Sequence, residues 1–213
     1  MSGFISPRIF LFGFLSLLSA FAFSSCGSTS FFGRDTRNKM IVSVSDQKML
    51  LVRDGQPVKT YRISTSKFGV GDKPGSNRTP LGHMCVAKKV GCTAPQGAVF
   101  KSRRPTGEIL KPDSPGRDPI VTRILWLKGL EQRNQNAFKR TIYIHGTPEE
   151  KRLGRPASFG CIRMSSRDVV DLYNRVGYGA DVFIIRGSIQ NGYRNGQTSA
   201  VANRNGKRSR SHS

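Results

Sequence analysis

A histidine and a cysteine that could act together in covalent catalysis lie in the segment 142–164. His145 ends an apolar, strand-like run that begins at Ile142, and Cys161 follows Gly160 in a turn of small residues. A cysteine attacks carbonyl groups as a thiolate, and a histidine beside it can remove the thiol proton. Each residue alone also has a structural interpretation, because a lone cysteine before a helix and a lone histidine in a strand commonly serve packing. The catalytic hypothesis therefore depends on whether the fold brings the two side chains together.

The local pattern places further groups around the pair. Alternation along the predicted strand puts Tyr143 and His145 on one face and the two isoleucines on the other. The backbone N–H groups of Gly160 and Cys161 are candidates for stabilising the oxyanion that forms during attack. If the segment stays extended, Arg163 points the same way as Cys161, where it can bind a carboxylate or orient the site.

A helix is predicted directly after this turn. Ser165 or Ser166 can cap its N-terminus, an apolar stripe follows, and Gly177 can end it. A helix N-terminus, the charge of Arg163 and a histidine partner each favour the ionised form of a cysteine. We therefore expect the Cys161 thiolate to be favoured.

Most of the remaining sequence pattern is typical of β-strands. Apolar runs between Met40 and Ile63 are separated by turns, and the Asp54-Gly55 pair between two of them indicates a hairpin. Further strand candidates are 84–90, 98–101, 120–127, 141–145 and 181–186. The sequence predicts one mainly β domain over residues 39–186, with one or a few short helices.

The segments outside this domain differ from it in composition. Residues 27–38 are polar and are predicted to be a linker. Residues 187–213 are basic and lack hydrophobic periodicity, which predicts a disordered tail. Within the domain, the proline-rich stretch 102–119 lacks periodicity and is expected to cross or flank a groove.

Residues 1–25 are predicted to be an export signal. Arg8 is their only charged residue, and the uncharged run 9–23 is shorter than the roughly 20 residues that a spanning helix needs. Ser24 and Ser25 lead into Cys26. Two interpretations stay open: simple cleavage nearby, or a lipoprotein-type signal in which Cys26 is lipidated and becomes the first residue.

The net charge of the chain indicates which class of molecule it binds. The formal net charge is +22, and such a field attracts polyanions. The sequence has no helix-turn-helix, zinc-finger or aromatic RNA-binding motif, and an exported protein rarely meets nucleic acid. We therefore expect no nucleic-acid partner and favour an anionic polymer of the cell envelope. The sequence makes no prediction of oligomeric state.

The other cysteines leave two alternatives open. Cys85 and Cys92 either form a disulfide or are two small buried hydrophobic residues, and Cys161 stays unpaired in both cases. Since no Cys-x-x-Cys motif or close histidine pair occurs, no metal site is predicted.

Three short motifs resemble the signature of the L,D-transpeptidase catalytic domain, the YkuD family: His145-Gly-Thr, Gly154-Arg-Pro-Ala-Ser158 and Gly160-Cys161-Ile-Arg163-Met. The resemblance extends upstream to the turn 75–82 and covers roughly residues 39–186. It implies a β-sandwich that carries a cysteine nucleophile and needs no cofactor.

The resemblance also implies a role for each residue of the site. Cys161 is the nucleophile and His145 the base. Ser158, Gly160 and Gly146 shape the oxyanion site or orient the catalytic groups, with the Gly146 carbonyl holding the imidazole. Two residues, Arg163 and Tyr143, are assigned to substrate binding.

The implied reaction is acyl transfer in bacterial peptidoglycan. The cysteine forms a thioester with a stem peptide at its diamino acid and releases D-Ala. An amine of another stem peptide or of a protein then takes the acyl group, giving 3-3 cross-links or protein attachment to the wall. If water resolves the thioester, the enzyme is an L,D-carboxypeptidase.

One position departs from the family pattern. Phe159 stands where the family most often has histidine before Gly-Cys, and phenylalanine can neither donate a hydrogen bond nor take a proton. His145 still fills the family's other histidine position. A non-catalytic peptidoglycan-binding module is therefore a further alternative, for which Phe159 is the only support.

Overall fold

The computed structural model describes residues 33–195, which form a mainly β domain. Ten strands run within them in chain order: β1 (Asn38–Ser43), β2 (Lys48–Arg53), β3 (Gln56–Arg62), β4 (Gly82–Val90), β5 (Ala98–Lys101), β6 (Arg104–Ile109), β7 (Ile120–Gly129), β8 (Tyr143–Gly146), β9 (Ile162–Met164) and β10 (Asp181–Ile185). Helix α1 (Ser166–Arg175) lies between β9 and β10, and two short 3-10 helices cover Gln132–Asn134 and Glu150–Arg152. The expectation of a mainly β domain with few helices is confirmed.

The strands form one mixed sheet. Its main path has the order β3-β2-β1-β10-β4-β7-β5-β6, and a branch leaves β7 through β8 to β9. The pairs β1–β10 and β8–β9 are parallel, whereas the other pairs are antiparallel. The β8–β9 pair is the one that brings the histidine-bearing strand beside the strand that follows the cysteine.

The predicted Asp54-Gly55 hairpin is confirmed. It joins β2 to β3, with φ of 52° at Asp54 and 81° at Gly55. Positive φ at both central residues matches the right-handed twist of the flanking strands. The turn thus helps to set the register of the β2–β3 pair.

Side chains from both the main path and the β8–β9 branch pack into one core. Met84 of β4, Ile144 of β8 and Ile162 of β9 are fully buried there. Helix α1 adds Val169 and Leu172 to the same core. This packing fixes the branch against the rest of the sheet.

Helix α1 begins as the sequence predicts. The Ser165 hydroxyl accepts a hydrogen bond from the backbone N–H of Asp168 at 3.1 Å, which satisfies one of the free amides of the first turn. The helix ends at Arg175, shortly before Gly177. Because β9 ends at Met164, the helix N-terminus follows the candidate site directly.

Part of the stretch 102–119 is a strand that the sequence pattern did not predict. β6 lies at the end of the main path and pairs only with β5 among the described strands. Pro105 and Gly107 within it are exposed. An edge strand tolerates both residues because its outer side makes no ladder hydrogen bonds, so the usual apolar alternation is absent.

The predicted disorder of 187–213 was wrong for residues 187–195. Residues 189–195 are helical, and we call them the C-terminal segment. Ile189 and Tyr193 pack on Ile41 and Leu50, on the side of the sheet away from the main core. The C-terminal segment shields this apolar face of β1 and β2 from water. The low hydrophobicity of the tail does not predict that contact. Residues 196–213 lie outside the described residues.

The predicted linker also extends less far than expected. The Asp35 carboxylate accepts a hydrogen bond from the Gly177 N–H at 2.6 Å and another from the Asn38 side chain at 2.9 Å. The end of the predicted 27–38 linker is therefore attached to the domain. The predicted export signal and Cys26 lie outside the described residues.

Three further findings concern residues 33–195. None of their helices is long and apolar enough to cross a membrane. They contain no cluster of three or more His, Cys, Asp or Glu side chains that could hold a metal ion. Cys85 is a free thiol, so the alternative of a Cys85–Cys92 bridge was wrong.

The contact of the C-terminal segment with the sheet generates a stability prediction. Ile189→Ala should lower the free energy of unfolding by about 1–2 kcal/mol, because a half-buried aliphatic side chain leaves the Ile41–Leu50 surface. Gln190→Ala, at an exposed position of the same segment, is the matched control and should leave stability unchanged. Urea unfolding of both variants measures the difference. Equal midpoints would show that the segment contributes nothing to the fold.

Candidate active site around Cys161 and His145

The β8–β9 pairing places the candidate residues on one face of the sheet. Its register aligns Ile144 with Ile162 and His145 with Arg163. Since side chains alternate along a strand, His145 and Tyr143 share a face, as expected from the sequence. Cys161, just before β9, packs in the same apolar cluster as Tyr143. The fold thus brings the cysteine and the histidine to neighbouring strands.

His145 is buried and held in one orientation. Its side chain is 5% exposed, and Nδ1 lies 2.8 Å from the carbonyl oxygen of Gly146. A carbonyl can only accept a hydrogen bond, so Nδ1 carries the proton and Nε2 keeps its lone pair. Burial lowers the pKa of His145 below its ordinary value, against the smaller opposing effects of the Gly146 hydrogen bond and of Asp118. The imidazole is therefore neutral and ready to accept a proton at Nε2.

Gly146 fits its place because any side chain would collide with β7. A Cβ there would lie 2.7 Å from the carbonyl oxygen of Val121 and 3.1 Å from Thr122. Strand β7 is irregular at this point, since its register with β8 shifts between Val121 and Ile124 and Thr122 has φ of 72°. The bulge and the glycine together let β8 approach closely enough for its last carbonyl to hold the His145 ring.

Cys161 carries a free thiol that interacts with the backbone of the preceding strand. Its Sγ accepts from the N–H of Tyr143 at 3.4 Å and lies 3.5 Å from the carbonyl oxygen of Thr141. Within residues 33–195, no hydrogen bond joins this thiol to His145. Without substrate, the two groups are on the same face but not in direct hydrogen-bonding contact.

The expectation of a favoured thiolate was wrong. Burial raises the pKa of Cys161 to about 11, and the Tyr143 N–H and the charges of Arg140 and Arg163 lower it less than burial raises it. The apolar cluster around the thiol includes Phe100, a residue far away in sequence. A thiolate loses more hydration there than the nearby donors and charges return. The resting thiol is therefore protonated.

The turn before Cys161 is fixed by two hydroxyl groups. Ser158 Oγ donates to the Cys161 carbonyl at 2.6 Å and accepts from the Gly160 N–H at 3.2 Å. Thr79 Oγ1 donates to the Gly160 carbonyl at 3.0 Å. Gly160 has φ of 122°, a conformation that side-chain-bearing residues rarely adopt. The turn therefore depends on glycine at this position.

These bonds bear on the assignment of the oxyanion donors. The Gly160 N–H already donates to Ser158 Oγ, and its expected role as an oxyanion donor stays a prediction. Within the part of the chain that the structure describes, the Cys161 N–H has no acceptor. Thr79 was not among the residues assigned to the site, although it belongs to the turn 75–82 that the motif comparison singled out.

Arg163 is buried and bound by the protein's own carboxylates. Its side chain is 3% exposed, with Nη1 paired to Asp118 and lying 3.1 Å from Glu149 Oε2. Its Nε and Nη2 have no partner within the described residues. These contacts favour an orienting role for Arg163 over the expected binding of a substrate carboxylate. Asp118 and Glu149 carry no sequence pattern that marks them as its partners.

Tyr143 and Phe159 differ in exposure. Tyr143 is 4% exposed, and its hydroxyl accepts a hydrogen bond from Arg103 at 3.3 Å. Phe159 is 62% exposed, with its ring centroid 5.5 Å from that of Phe68 and 4.4 Å from Lys67 Nζ. The position that departs from the family motif therefore lies at the surface beside Cys161.

Solved structures with detectable similarity share a low sequence identity with this chain. An L,D-transpeptidase from Mycobacterium smegmatis is 17% identical with a TM-score of 0.44, and one from Mycobacterium tuberculosis is 19% identical with a TM-score of 0.46. An L,D-transpeptidase of Enterococcus faecium is 17% identical with a TM-score of 0.46. Each match covers 70% of this chain. They cover 58%, 58% and 50% of the respective structures, so this chain spans less than two thirds of their length. Comparison with curated proteins gives no match.

The sequence matches the family model of the L,D-transpeptidase catalytic domain over residues 37–184. This range covers the ten strands, except for the last residue of β10. It also covers helix α1 and every residue of the candidate site. The chain therefore belongs to the YkuD family of L,D-transpeptidase catalytic domains.

Proposed function

We propose that this chain is a peptidoglycan L,D-transpeptidase in which Cys161 is the nucleophile and His145 the general base. Membership of the family supports an enzyme of the transpeptidase type. The observation that carries the assignment of residues is the neutral imidazole with an unprotonated Nε2, on the same face as the one free thiol of the β8–β9 region. Retention of both groups disfavours a purely binding module.

The first half-reaction starts from a neutral thiol and a neutral imidazole. The thiol points at the Thr141 carbonyl in the absence of substrate, so the S–H group turns toward Nε2 when a peptide binds. As Sγ forms a bond to the carbonyl carbon of the diamino acid, Nε2 takes the thiol proton. The Cys161 N–H stabilises the resulting oxyanion. Collapse breaks the C–N bond, and D-Ala leaves with the proton from His145, which completes the thioester.

The second half-reaction regenerates the thiol. The amine of another stem peptide attacks the thioester and gives a proton to His145 Nε2. The C–S bond breaks, the sulfur recovers a proton, and the new amide is a 3-3 cross-link. If a protein supplies the amine, the product is a protein attached to the wall. If water attacks, the product is a free acid and the activity is that of an L,D-carboxypeptidase.

The net positive charge and the N-terminal sequence also support a proposal about where in the cell the protein acts. A net charge of +22 raises the rate of association with a polymer rich in carboxylates, and salt weakens this effect. We propose export to the bacterial cell envelope or periplasm through residues 1–25, with lipidation at Cys26 as the means of membrane attachment. Mass spectrometry of the mature N-terminus distinguishes lipidation from simple cleavage.

The nucleophile assignment predicts the outcome of acylation by a carbapenem. The unmodified protein should gain the mass of one carbapenem, whereas Cys161→Ala should gain none, because no other group in the site can form the thioester. Cys85→Ser is the matched control, since Cys85 is the other free thiol in residues 33–195, and it should acylate normally. Intact-protein mass spectrometry measures the adduct. An unchanged adduct on the Cys161→Ala protein would remove Cys161 as nucleophile.

The charge states of the pair predict the pH dependence of acylation. The second-order rate should fall only when His145 becomes protonated, with a midpoint below its ordinary pKa of 6.5. Above that midpoint the rate should reach a plateau, since the thiol itself ionises only near its pKa of about 11. Stopped-flow acylation over this range measures the profile. A thiolate that is already formed at rest would give no such histidine-controlled acid limb.

The His145→Ala variant provides the comparison for this profile. It should lose about two to four orders of magnitude in rate at neutral pH, the usual contribution of a positioned general base. Its remaining rate should rise steadily with pH toward the thiol pKa of about 11, because only spontaneous ionisation then supplies the nucleophile. A plateau retained by this variant would show that another group acts as the base.

The products of the reaction separate transfer from hydrolysis. Incubation with tetrapeptide-bearing muropeptides should give cross-linked dimers linked through two diamino acids, together with free D-Ala. Tripeptide monomers alone would identify an L,D-carboxypeptidase, and unchanged muropeptides would identify a binding module. The Cys161→Ala protein is the negative control, and mass spectrometry of the digest measures all three species.

A further inference from the structure

The turn between β5 and β6 holds an arginine in an unusual backbone conformation. Ser102 and Arg103 form its tip, with φ of 50° and 67°. Two-residue hairpins with positive φ at both positions usually contain asparagine, aspartate or glycine. Two side-chain-bearing residues are strained there, and such strain often occurs where a side chain must be held in one place.

Arg103 lies over aromatic rings beside the candidate nucleophile. Its Nη1 donates to the Tyr143 hydroxyl at 3.3 Å, and its guanidinium carbon lies 4.8 Å from the Trp126 ring centroid. Trp126 and Tyr143 meet edge to face at 5.5 Å, and both pack in the cluster that contains Cys161. The backbone N–H of Tyr143 also contacts Cys161 Sγ at 3.4 Å. A single tyrosine thus contacts both the arginine and the thiol.

The arginines near Cys161 differ in what neutralises them. Arg140, whose charge also acts on the thiol, is paired with Asp72 at 3.0 Å. Arg163 is buried and paired with Asp118 and Glu149. Arg103 is exposed and has no carboxylate partner within residues 33–195. Stacking on an aromatic face leaves the edge of a guanidinium available for two parallel hydrogen bonds to a carboxylate. Arg103 is therefore the arginine of this region that is available to bind the carboxylate of a substrate.

We propose that Arg103 binds the terminal carboxylate of the acyl-donor peptide, so that this residue selects donors that end in a free acid. The inference rests on the proposed function, which supplies a donor whose leaving D-Ala carries such a group. In that donor the carboxyl carbon lies roughly one residue, about 3.5 Å, beyond the attacked carbonyl. Tyr143 links the two groups in the protein, because its backbone N–H contacts Cys161 Sγ and its hydroxyl contacts Arg103. Arg103 is thus a specificity-determining residue, whereas Arg163 is a positioning residue.

A binding experiment tests the inference without catalysis. Cys161→Ala protein is titrated with a tetrapeptide that ends in D-Ala, either as the free acid or as the C-terminal carboxamide. Trp126 is the only tryptophan of the chain, so its fluorescence reports contact with Arg103 directly, and calorimetry gives the affinity independently of it. The acid should bind about tenfold more tightly than the amide, as expected for a charge-assisted bidentate contact.

The variants identify the residue responsible. Adding Arg103→Gln should weaken binding of the acid about tenfold and leave binding of the amide unchanged, while Arg103→Lys should give an intermediate affinity for the acid. Arg104→Gln is the matched control, because it removes one positive charge from an exposed position of the same hairpin. It should keep the preference for the acid. Thermal unfolding checks that all variants are folded.

Each other result overturns the inference. Equal affinities of the acid and the amide, an unchanged preference in Arg103→Gln, or the same loss in Arg104→Gln would each exclude selection by Arg103. Failure of the proposed function has a separate readout, which is the absence of a carbapenem adduct on protein with Cys161 intact. The two failures are therefore distinguished, because peptide selection is measured on Cys161→Ala protein and adduct formation on protein with Cys161 intact.

Discussion

The parallel pairing of β8 with β9 is the constraint on which the candidate site depends. These are short strands, Tyr143–Gly146 and Ile162–Met164, and their register aligns His145 with Arg163. A slip of one residue would turn one set of side chains to the opposite face and separate the histidine from the thiol. The register is set from both sides of the pair. Gly146 fits against β7, and the turn before Cys161 is tied to Thr79 of a distant loop.

The sequence was informative where the structure depends on neighbouring residues. Strand alternation placed Tyr143 and His145 on one face, a serine capped α1, and Asp54-Gly55 formed the expected hairpin. These features follow from local backbone and side-chain preferences. The motif comparison then identified the family, because the cysteine-centred pattern is specific.

Other features depend on residues far apart in the chain and were not predictable from the local pattern. The pKa of Cys161 is raised by burial in a cluster that includes Phe100 from β5, so a nearby helix N-terminus and Arg163 did not determine its ionisation. The ion pairs of Arg163 with Asp118 and Glu149 also join residues far apart in the chain, so only the folded structure shows them. The edge strand β6 and the C-terminal segment were missed because neither shows apolar periodicity. Each is stabilised by surfaces that other strands provide.

The protonated resting state of Cys161 has a consequence for its chemical durability. Peroxides and disulfides react with thiolates and hardly at all with thiols, so a cysteine with a raised pKa resists oxidation. The proposed export would place the protein among oxidants, without the reducing systems of the cytosol. In the proposed mechanism, the burial that makes Cys161 depend on His145 for activation also keeps its sulfur in the reduced form between turnovers. Such a nucleophile becomes reactive mainly when a bound substrate brings the base and the thiol together.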